Sequence, residues 1–503
     1  MVSISEPQSH WQLKELLAVL DPLKVDNLSN SKVLDITHNS NQVTPGTLFI
    51  AIPGFKADGH QYIKEAIKKG AHAIVGEKER ETDLSVPYIQ VNDSRKAIAH
   101  LAAKFYNYPG DKVKLIGVTG STGKTTTTKL ITNILKQVTP NTGLIGTLHT
   151  EIKNNTYPQP KSCTTPDALE LNRRLYAMYQ QGVEYVSMEV SSHALKLDRV
   201  TGLDFDLGLF TNLSYDHLNF HKGLTDYFNS KKKLFTNLKL PSAAILNQDD
   251  EHSRKISFEL SVPHFFYGFG SQADLKAEKI DFSPRGISFL ITLKKPLTTL
   301  NGKNIAPTSF PVSLPLLGKH NIHNALGAAL TGLLLDIEPE KIKEGLESFS
   351  GVPRRLELIY DDEFTIIDDF AHNPASLKAN FKTLQQLDYN KLVIVHFLKG
   401  KRGQQANKRN AQLIATWRKE LNLTDLITTR AEGEVKPKNE VLPAEEETFS
   451  KVIKDTELNF TSYKTLKPAL KDGLNRINPG DLLLLLGGPG LKNARNIIKK
   501  ILD

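Results

Sequence analysis

The sequence predicts an α/β protein whose sheets are mostly parallel and which divides into three units. Three observations carry this expectation. The chain has 503 residues, and domains average roughly 150 residues, which suggests about three. Short apolar, strand-like segments alternate with helix-like segments along its whole length, the pattern of a sheet covered by helices. Pro109-Gly110 and Gly351-Val352-Pro353 interrupt that alternation, and such dipeptides punctuate structure. The units are therefore drawn at 1–110, 111–349 and 350–503.

In the first unit, residues 47–52 and 71–76 read as strands around a helical stretch, 61–69, and 87–91 precedes a helix at 94–106. In the second, 113–119 is a buried strand that runs through a glycine-rich turn into a helix, 124–137. Further strands are expected at 183–190, 207–211 and 243–247. Residues 267–315 are rich in Thr, Pro and alternating residues and read as a β-rich excursion, after which helices resume at 321–335 and 339–348. The third unit shows strands at 364–367, 392–396, 426–428 and 482–486.

Composition narrows the class. Hydrophobic residues make up 39% and charged residues 24%, ordinary for a globular protein with a large core. A single cysteine, Cys163, allows neither an internal disulfide nor a cysteine-based zinc site. The first residues carry Glu6, Lys14 and Glu15 and do not read as a signal peptide. The longest apolar run, 482–486, is far short of the ~18 residues of a membrane span, so a cytoplasmic protein without membrane insertion is expected. The formal charge is +9. Its lysines are scattered, with no arginine-rich arm, so a solvated surface or anionic small substrates are expected rather than nucleic acid.

The most specific motif is Gly117-Val118-Thr119-Gly120-Ser121-Thr122-Gly123-Lys124-Thr125. A strand ends, glycines turn the chain, and a helix begins, so backbone N–H groups and the helix dipole face a phosphate. Lys124 would neutralise the β- and γ-phosphates and the Thr125 hydroxyl would hold Mg²⁺. The general pattern demands glycine at 118 and finds Val118, so the loop is a variant. Glu189 and His217 end the next strand-like segments. In an open parallel sheet ligands gather there, which makes both candidates for the metal. Lys231-Lys232-Lys233 reads, on physical grounds alone, as a solvated helix face.

These motifs, with Thr164-Thr165-Pro166-Asp167, Met188-Glu189-Val190-Ser191-Ser192-His193, Gly318-Lys319-His320-Asn321-Ile322-His323-Asn324 and Asp369-Phe370-Ala371-His372-Asn373-Pro374, occur in the order of the Mur ligases of cell-wall synthesis. The sequence most resembles their UDP-MurNAc-tripeptide synthetase branch over about residues 33–375. The resemblance implies a UDP-sugar-binding domain, a central ATPase with a phosphate-loop parallel sheet, and a Rossmann-like C-terminal domain. It implies that ATP, with two magnesium ions, drives addition of a free amino acid to a UDP-muramoyl-peptide. Thr125, Glu189 and His217 resemble the metal shell, and Lys231 the family lysine that reacts with CO₂ to form a carbamate. Gly120, Ser121, Thr122, Gly123, Lys124, Thr125 and Thr126 would hold phosphates, and Asn321 and Asn324 adenine. Arg355 and Asp369 resemble ribose and phosphate contacts, and His372 a phosphate-side group. Thr164, Thr165, Ser191 and Arg199 match positions holding the muramoyl-peptide. Ser40 resembles the uridine-side serine, although the usual Ser-Arg pair reads Ser40-Asn41.

The third unit departs from that pattern where the amino acid is chosen. The usual Asp-Asn-Pro-Arg or Asp-Asn-Pro-Ala place reads Thr428-Thr429-Arg430-Ala431-Glu432-Gly433-Glu434, the usual Gly-Lys-Gly place reads Gly487-Gly488-Pro489-Gly490-Leu491, and the intervening glycine-rich loop reads Lys399-Gly400-Lys401-Arg402-Gly403. This argues against diaminopimelate and leaves another amine, such as lysine, or a drifted paralogue. Arg430 and Lys399 or Lys401 could supply substitute charge, and a solvated surface position is an equal expectation for each. A folylpolyglutamate-type ligase is disfavoured by the separate N-terminal unit. A non-catalytic regulator is disfavoured by the presence of Lys124, Glu189 and Lys231.

Overall fold

The computed structural model describes residues 11–28, 31–55, 57–80, 84–159, 163–214, 220–283 and 285–502. His217 lies outside the described residues. By internal contacts the chain forms two compact units: 1–276 with 291–310 and 323–346, and 277–290 with 311–322 and 347–503. Among the described residues no helix is long and apolar enough to cross a membrane.

The first unit holds two main sheets besides two short two-stranded ones. The smaller comprises β1 (Lys24–Asp26), β2 (Asp35–Thr37), β3 (Thr47–Ile50), β4 (Ala71–Gly76) and β5 (Tyr88–Gln90), in the order β1-β5-β4-β3-β2. Only β1 runs antiparallel to its neighbour. The helix α1 (Ser94–Phe105) is capped by Asp93, whose carboxylate accepts the N–H groups of Arg95 and Lys96, a favourable arrangement at the positive end of a helix. It buries Ala97, Ile98, Leu101 and Phe105 with Leu48, Ile50 and Val75 of the sheet.

The larger sheet carries β6 (Lys114–Thr119), α2 (Lys124–Lys136), β7 (Thr142–Ile145), β8 (His149–Ile152), β9 (Asn155–Pro158), α3 (Ala168–Gln180), β10 (Tyr185–Glu189), β11 (Leu207–Phe210), α4 (Leu224–Thr236), β12 (Ala243–Asn247) and β13 (His264–Gly268). Eight of its eleven strands run β9-β8-β7-β10-β6-β11-β12-β13. From β7 to β13 they are parallel, and β8 and β9 are antiparallel additions that periodicity did not reveal. The expected excursion is β-rich, with strands Leu275–Ser283, Gly286–Leu293 and Thr308–Leu314.

The second unit is a six-stranded sheet of β14 (Glu357–Asp361), β15 (Thr365–Asp369), β16 (Leu392–Phe397), β17 (Leu423–Thr429), β18 (Asn459–Tyr463) and β19 (Leu482–Leu486), ordered β14-β15-β19-β16-β17-β18. All but β14 are parallel to their neighbours. Leu482 to Leu486 are all buried because β19 is covered on both faces. The helices α5 (Pro374–Leu384), α6 (Gln404–Trp417) and α7 (Pro443–Lys454) follow strand ends.

Candidate active site

The phosphate loop leaves the end of β6. Val118 is fully buried within that strand, opposite Glu189 on one side and Leu209 on the other. The glycine that the general pattern demands therefore falls inside the sheet, where a β-branched residue is favoured. The turn itself needs Gly120 and Gly123. Gly120 has φ +146°, and a Cβ there would lie 1.9 Å from the Thr211 hydroxyl. Gly123 takes φ +85° as the N-cap of α2, a conformation only glycine adopts cheaply. The N–H groups of Ser121 and Thr122 donate to Asn212 at 2.8 and 3.1 Å. Lys124 Nζ donates to the carbonyls of Gly120 and Ser121 at 2.8 and 2.9 Å, so its charge stays over the loop. Thr126 is half-buried on the first turn of α2. Asn324 reaches the same place: its Oδ1 accepts from the Thr127 hydroxyl at 3.2 Å. Asn321 donates to Leu317 O at 2.8 Å.

Glu189, at the carboxyl end of β10, is 1% exposed. Its Oε2 accepts the hydroxyls of Thr125 at 2.9 Å and Thr147 at 3.0 Å, and its Oε1 accepts the Thr147 N–H at 2.8 Å. Glu189 and Thr125 are thus brought together as expected. Thr147 is a partner that sequence reading missed; its signal is a polar residue straight after the apolar strand β7 and Gly146. Carboxylate and hydroxyl oxygens form a hard donor set, which suits Mg²⁺. Among the described residues no three His, Cys, Asp or Glu side chains cluster as a metal site, so further donors must come from water, phosphate or other groups.

The three lysines of α4 do not share one fate. Lys231 is 1% exposed, with Nζ donating to Gly120 O at 2.6 Å and lying 4.5 Å from the Tyr227 ring centre. Lys232 pairs with Glu259, and Lys233 is exposed. The solvated-face reading fails for Lys231 because it shares a helix face with Tyr227, Leu234 and Phe235, all buried. The Tyr227 hydroxyl lies 3.1 Å from that of Ser121, fixing α4 against the loop.

A cavity of about 570 Å³ opens beside this machinery, lined by His38, Ser40, Asn41, Arg95, Cys163, Asp167 and Arg199 among others. Thr165 links the two. Its hydroxyl donates to the Glu189 carbonyl at 2.8 Å and accepts the Ser191 N–H at 3.0 Å, while its own carbonyl accepts from Arg199 at 2.8 Å. Thr164 accepts from Thr147 at 3.1 Å. The Ser191 hydroxyl caps the following short helix. Ser40 and Arg199 thus line one space, while Thr164, Thr165 and Ser191 are tied to Thr147, Glu189, Arg199 or one another by the bonds just given.

In the second unit Arg355, Asp369 and His372 gather around Phe370. Arg355 lies 5.7 Å from that ring's centre. Asp369 accepts the N–H groups of Leu356 and Ala371 at 2.7 and 2.6 Å, and burial pushes its carboxyl above the usual range. Burial, with Lys399, Arg402 and Arg355 adding repulsion, holds the His372 imidazole down at about 4. It is neutral at pH 7, and its Nδ1 donates to Phe370 O at 3.0 Å. Its Nε2 is then an acceptor.

Three stretches match models of one family: residues 118–332 the "Mur ligase middle domain", 32–106 the "Mur ligase family, catalytic domain", and 354–488 the "Mur ligase, glutamate ligase domain". A UDP-N-acetylmuramoyl-L-alanyl-D-glutamate–2,6-diaminopimelate ligase of Geobacillus thermodenitrificans is 37% identical over 391 residues, covering 76% of this chain and 77% of the relative. The ligase of the same name from Clostridium tetani is 34% identical over 487 residues, covering 95% and 94%. A solved structure of a ligase bearing that name superposes with a TM-score of 0.73 at 22% identity, over 98% of this chain and 100% of that one. A MurF ligase of Thermotoga maritima in complex with ADP gives 0.59 at 19% identity, over 92% and 96%. Taken with the phosphate loop and the carboxylate beside it, these likenesses show that the chain belongs to the Mur ligase family, in its MurE-type branch, and is an ATP-dependent amide ligase of peptidoglycan precursor synthesis.

Proposed function

We propose that this ligase adds an amino acid to UDP-N-acetylmuramoyl-L-alanyl-D-glutamate in the cytoplasm. The observation that carries the reading is Glu189. Its carboxylate grips Thr125 of the phosphate loop while its backbone carbonyl accepts from Thr165, whose own carbonyl accepts from Arg199 at the wall of the large cavity. One residue joins the place for ATP to the place for an acceptor.

A carboxylate does not acylate an amine at neutral pH, because its leaving group is too poor. The acceptor carboxylate oxygen attacks the γ-phosphorus of ATP, ADP departs, and an acyl-phosphate forms. The amine nitrogen then attacks the acyl carbon, loses a proton, and the tetrahedral intermediate expels phosphate. Lys124 and the loop N–H groups stabilise the charge on the transferring phosphoryl group. Thr125 and Glu189 would hold Mg²⁺, which would supply Lewis-acid stabilisation there. His217 completes that shell in this reading. Arg199 and Thr165 orient the acceptor, with Ser40 and its neighbours at the nucleotide end. Asn321 and Asn324 receive adenine, Arg355 and Asp369 are taken as ribose and phosphate contacts, and His372 as a phosphate-side group. Lys231 reacts with CO₂, because a carbamate converts a buried cation beside Gly120 into an oxygen ligand.

Incubation with Mg-ATP, UDP-N-acetylmuramoyl-L-alanyl-D-glutamate and a pool of amino acids should give a product one aminoacyl residue heavier, with one phosphate released per bond. ATP turnover uncoupled from acceptor and amine would sink the proposal. A ¹³C carbamate signal from ¹³C-bicarbonate, absent in Lys231→Ala, tests the lysine. A second reading, ligation of an amine other than diaminopimelate, is favoured by Arg430. Its guanidinium is held by Glu446 at 2.6 Å and Glu432 at 3.3 Å, so it is engaged within the protein.

A further inference from the structure

Two neighbouring strands of the larger sheet set a geometry that the mechanism has not used. β7 runs parallel to β10 with Ile145 opposite Met188, so the turn that leaves β7 passes the carboxylate of Glu189. Gly146 makes that approach possible, because a Cβ there would fall 2.6 Å from Glu189 Oε1. The Gly146 N–H donates to His149 O at 3.1 Å, and its carbonyl accepts from Gln159 at 2.5 Å, so the turn is pinned on both sides. Thr147 comes next and is exposed. Its N–H donates to Glu189 Oε1 at 2.8 Å. Its hydroxyl lies 3.0 Å from Glu189 Oε2 and 3.1 Å from Thr164 Oγ1, placed as donor to either.

Both donations cannot be made at once, because a threonine hydroxyl carries one proton. An ionised carboxylate is the stronger acceptor, so Glu189 Oε2 takes that proton while only hydroxyl and N–H groups hold the carboxylate. The same oxygen accepts from Thr125 at 2.9 Å. A carboxylate committed to a divalent cation attracts a hydroxyl less. Rotation about the Cβ–Oγ bond then turns the Thr147 proton to Thr164 without moving a heavy atom. The Thr147 N–H stays on Oε1, so the carboxylate keeps its place. Thr164 is half-buried, and its own hydroxyl donates to no acceptor among the described residues. Once its oxygen accepts from Thr147, its proton is left for a ligand, and hydroxyls joined in this way polarise one another.

We propose that Thr147 couples the two substrate sites: its hydroxyl relays occupancy of the metal side, at Thr125 and Glu189, to the acceptor side, at Thr164, so that metal–nucleotide tightens acceptor binding. Thr147 is a positioning residue, acting on the acceptor through Thr164. The coupling is reciprocal, so the acceptor tightens metal–nucleotide by the same factor. The inference rests on the ligase reading above.

The test uses the full chain and reads binding. Calorimetry gives the Kd of UDP-N-acetylmuramoyl-L-alanyl-D-glutamate alone, with the β,γ-methylene analogue of ATP and Mg²⁺, and with that analogue and EDTA. One redirected hydrogen bond should tighten acceptor binding to the wild type about 3- to 10-fold with Mg²⁺, and not in EDTA. Thr147→Val should reduce the factor to below about twofold with the melting temperature retained, and Thr147→Ser should restore it. Thr164→Val, which removes the receiving oxygen, should abolish it too. Coupling retained in Thr147→Val, lost equally in Thr147→Ser, or present without Mg²⁺ would overturn the inference. Hydroxylamine trapping of the acyl-phosphate by the wild type, from Mg-ATP and the acceptor, separates the two readings. Hydroxamate without coupling overturns this inference alone; no hydroxamate overturns the ligase reading and this inference with it.

Discussion

The phosphate loop and the Lys399–Gly403 loop begin alike and end differently. Each leaves the carboxyl end of a buried parallel strand, turns on glycines and enters a helix. In the first, the N–H groups of Gly123, Thr125 and Thr126 have no acceptor among the described residues. In the second, three successive N–H groups are taken by Glu445, which lies 2% exposed on α7. One loop keeps its backbone for an anion. The other gives its backbone to the protein's own carboxylate and presents a lysine side chain instead. Similar local geometry thus serves binding in one place and bracing in the other, and a distant acidic residue makes the difference.

The largest expected effect breaks the first loop. Glu189→Ala or Lys124→Ala should lower kcat ~100–1000-fold with the melting profile retained, as removal of a preorganised charge-stabilising group does; near-normal turnover of either would refute the roles given them. Next is Gly400→Ala. A Cβ there would fall 1.9 Å from Glu440 O and 2.2 Å from Val441 Cα, so the second unit should lose about 3 kcal/mol, read in denaturant.

His396 offers a pH test of the second unit. It is 1% exposed, donates from Nδ1 to Leu486 O at 2.9 Å, and burial lowers it to about 4. Between pH 6.5 and about 4 the unfolded chain binds a proton that the folded chain refuses. Stability should therefore fall with pH across that window, by on the order of 3 kcal/mol from this group. Burial lifts Asp368 to about 6 despite Arg354. Its contribution is lost as pH rises from about 4 to 6, the opposite sign. The measurement is thus the difference between wild type and His396→Gln, whose stability–pH slope should be flatter below pH 6.5. Glu445→Gln should cost about 2 kcal/mol, since four N–H groups lose a charged acceptor. The smallest effect separates strain from crowding: Gly403 has φ +85° and open space, so Gly403→Ala should cost only about 1 kcal/mol.

Much of the central unit was legible because its chemistry is local. Gly120 to Thr125 must be contiguous to wrap a phosphate, and the flanking strand and helix show in the pattern of apolar residues. The strand Ala243–Asn247 and the strand Leu482–Leu486 are found where the apolar runs put them. The hairpin strands β8 and β9 were not, since His149–Ile152 and Asn155–Pro158 are short and polar on the exposed side. Thr147 was missed for a related reason: a lone threonine says nothing until Glu189, 42 residues away, accepts its hydrogen bonds.

By itself the sequence determined the α/β class, the phosphate loop, the strand-end carboxylate and the order of motifs along the chain. These follow from short-range rules, namely apolar periodicity, glycine conformations and the place where helices and strands meet. Only the tertiary structure decided that Lys231 is buried while Lys232 and Lys233 are not, that Arg430 is engaged by Glu446, and that Glu445 takes the backbone N–H groups of Lys401, Arg402 and Gly403. A side chain's charge is written in the sequence. Whether it is solvated, paired or left to meet a ligand depends on residues tens of positions away, and folding alone brings those together.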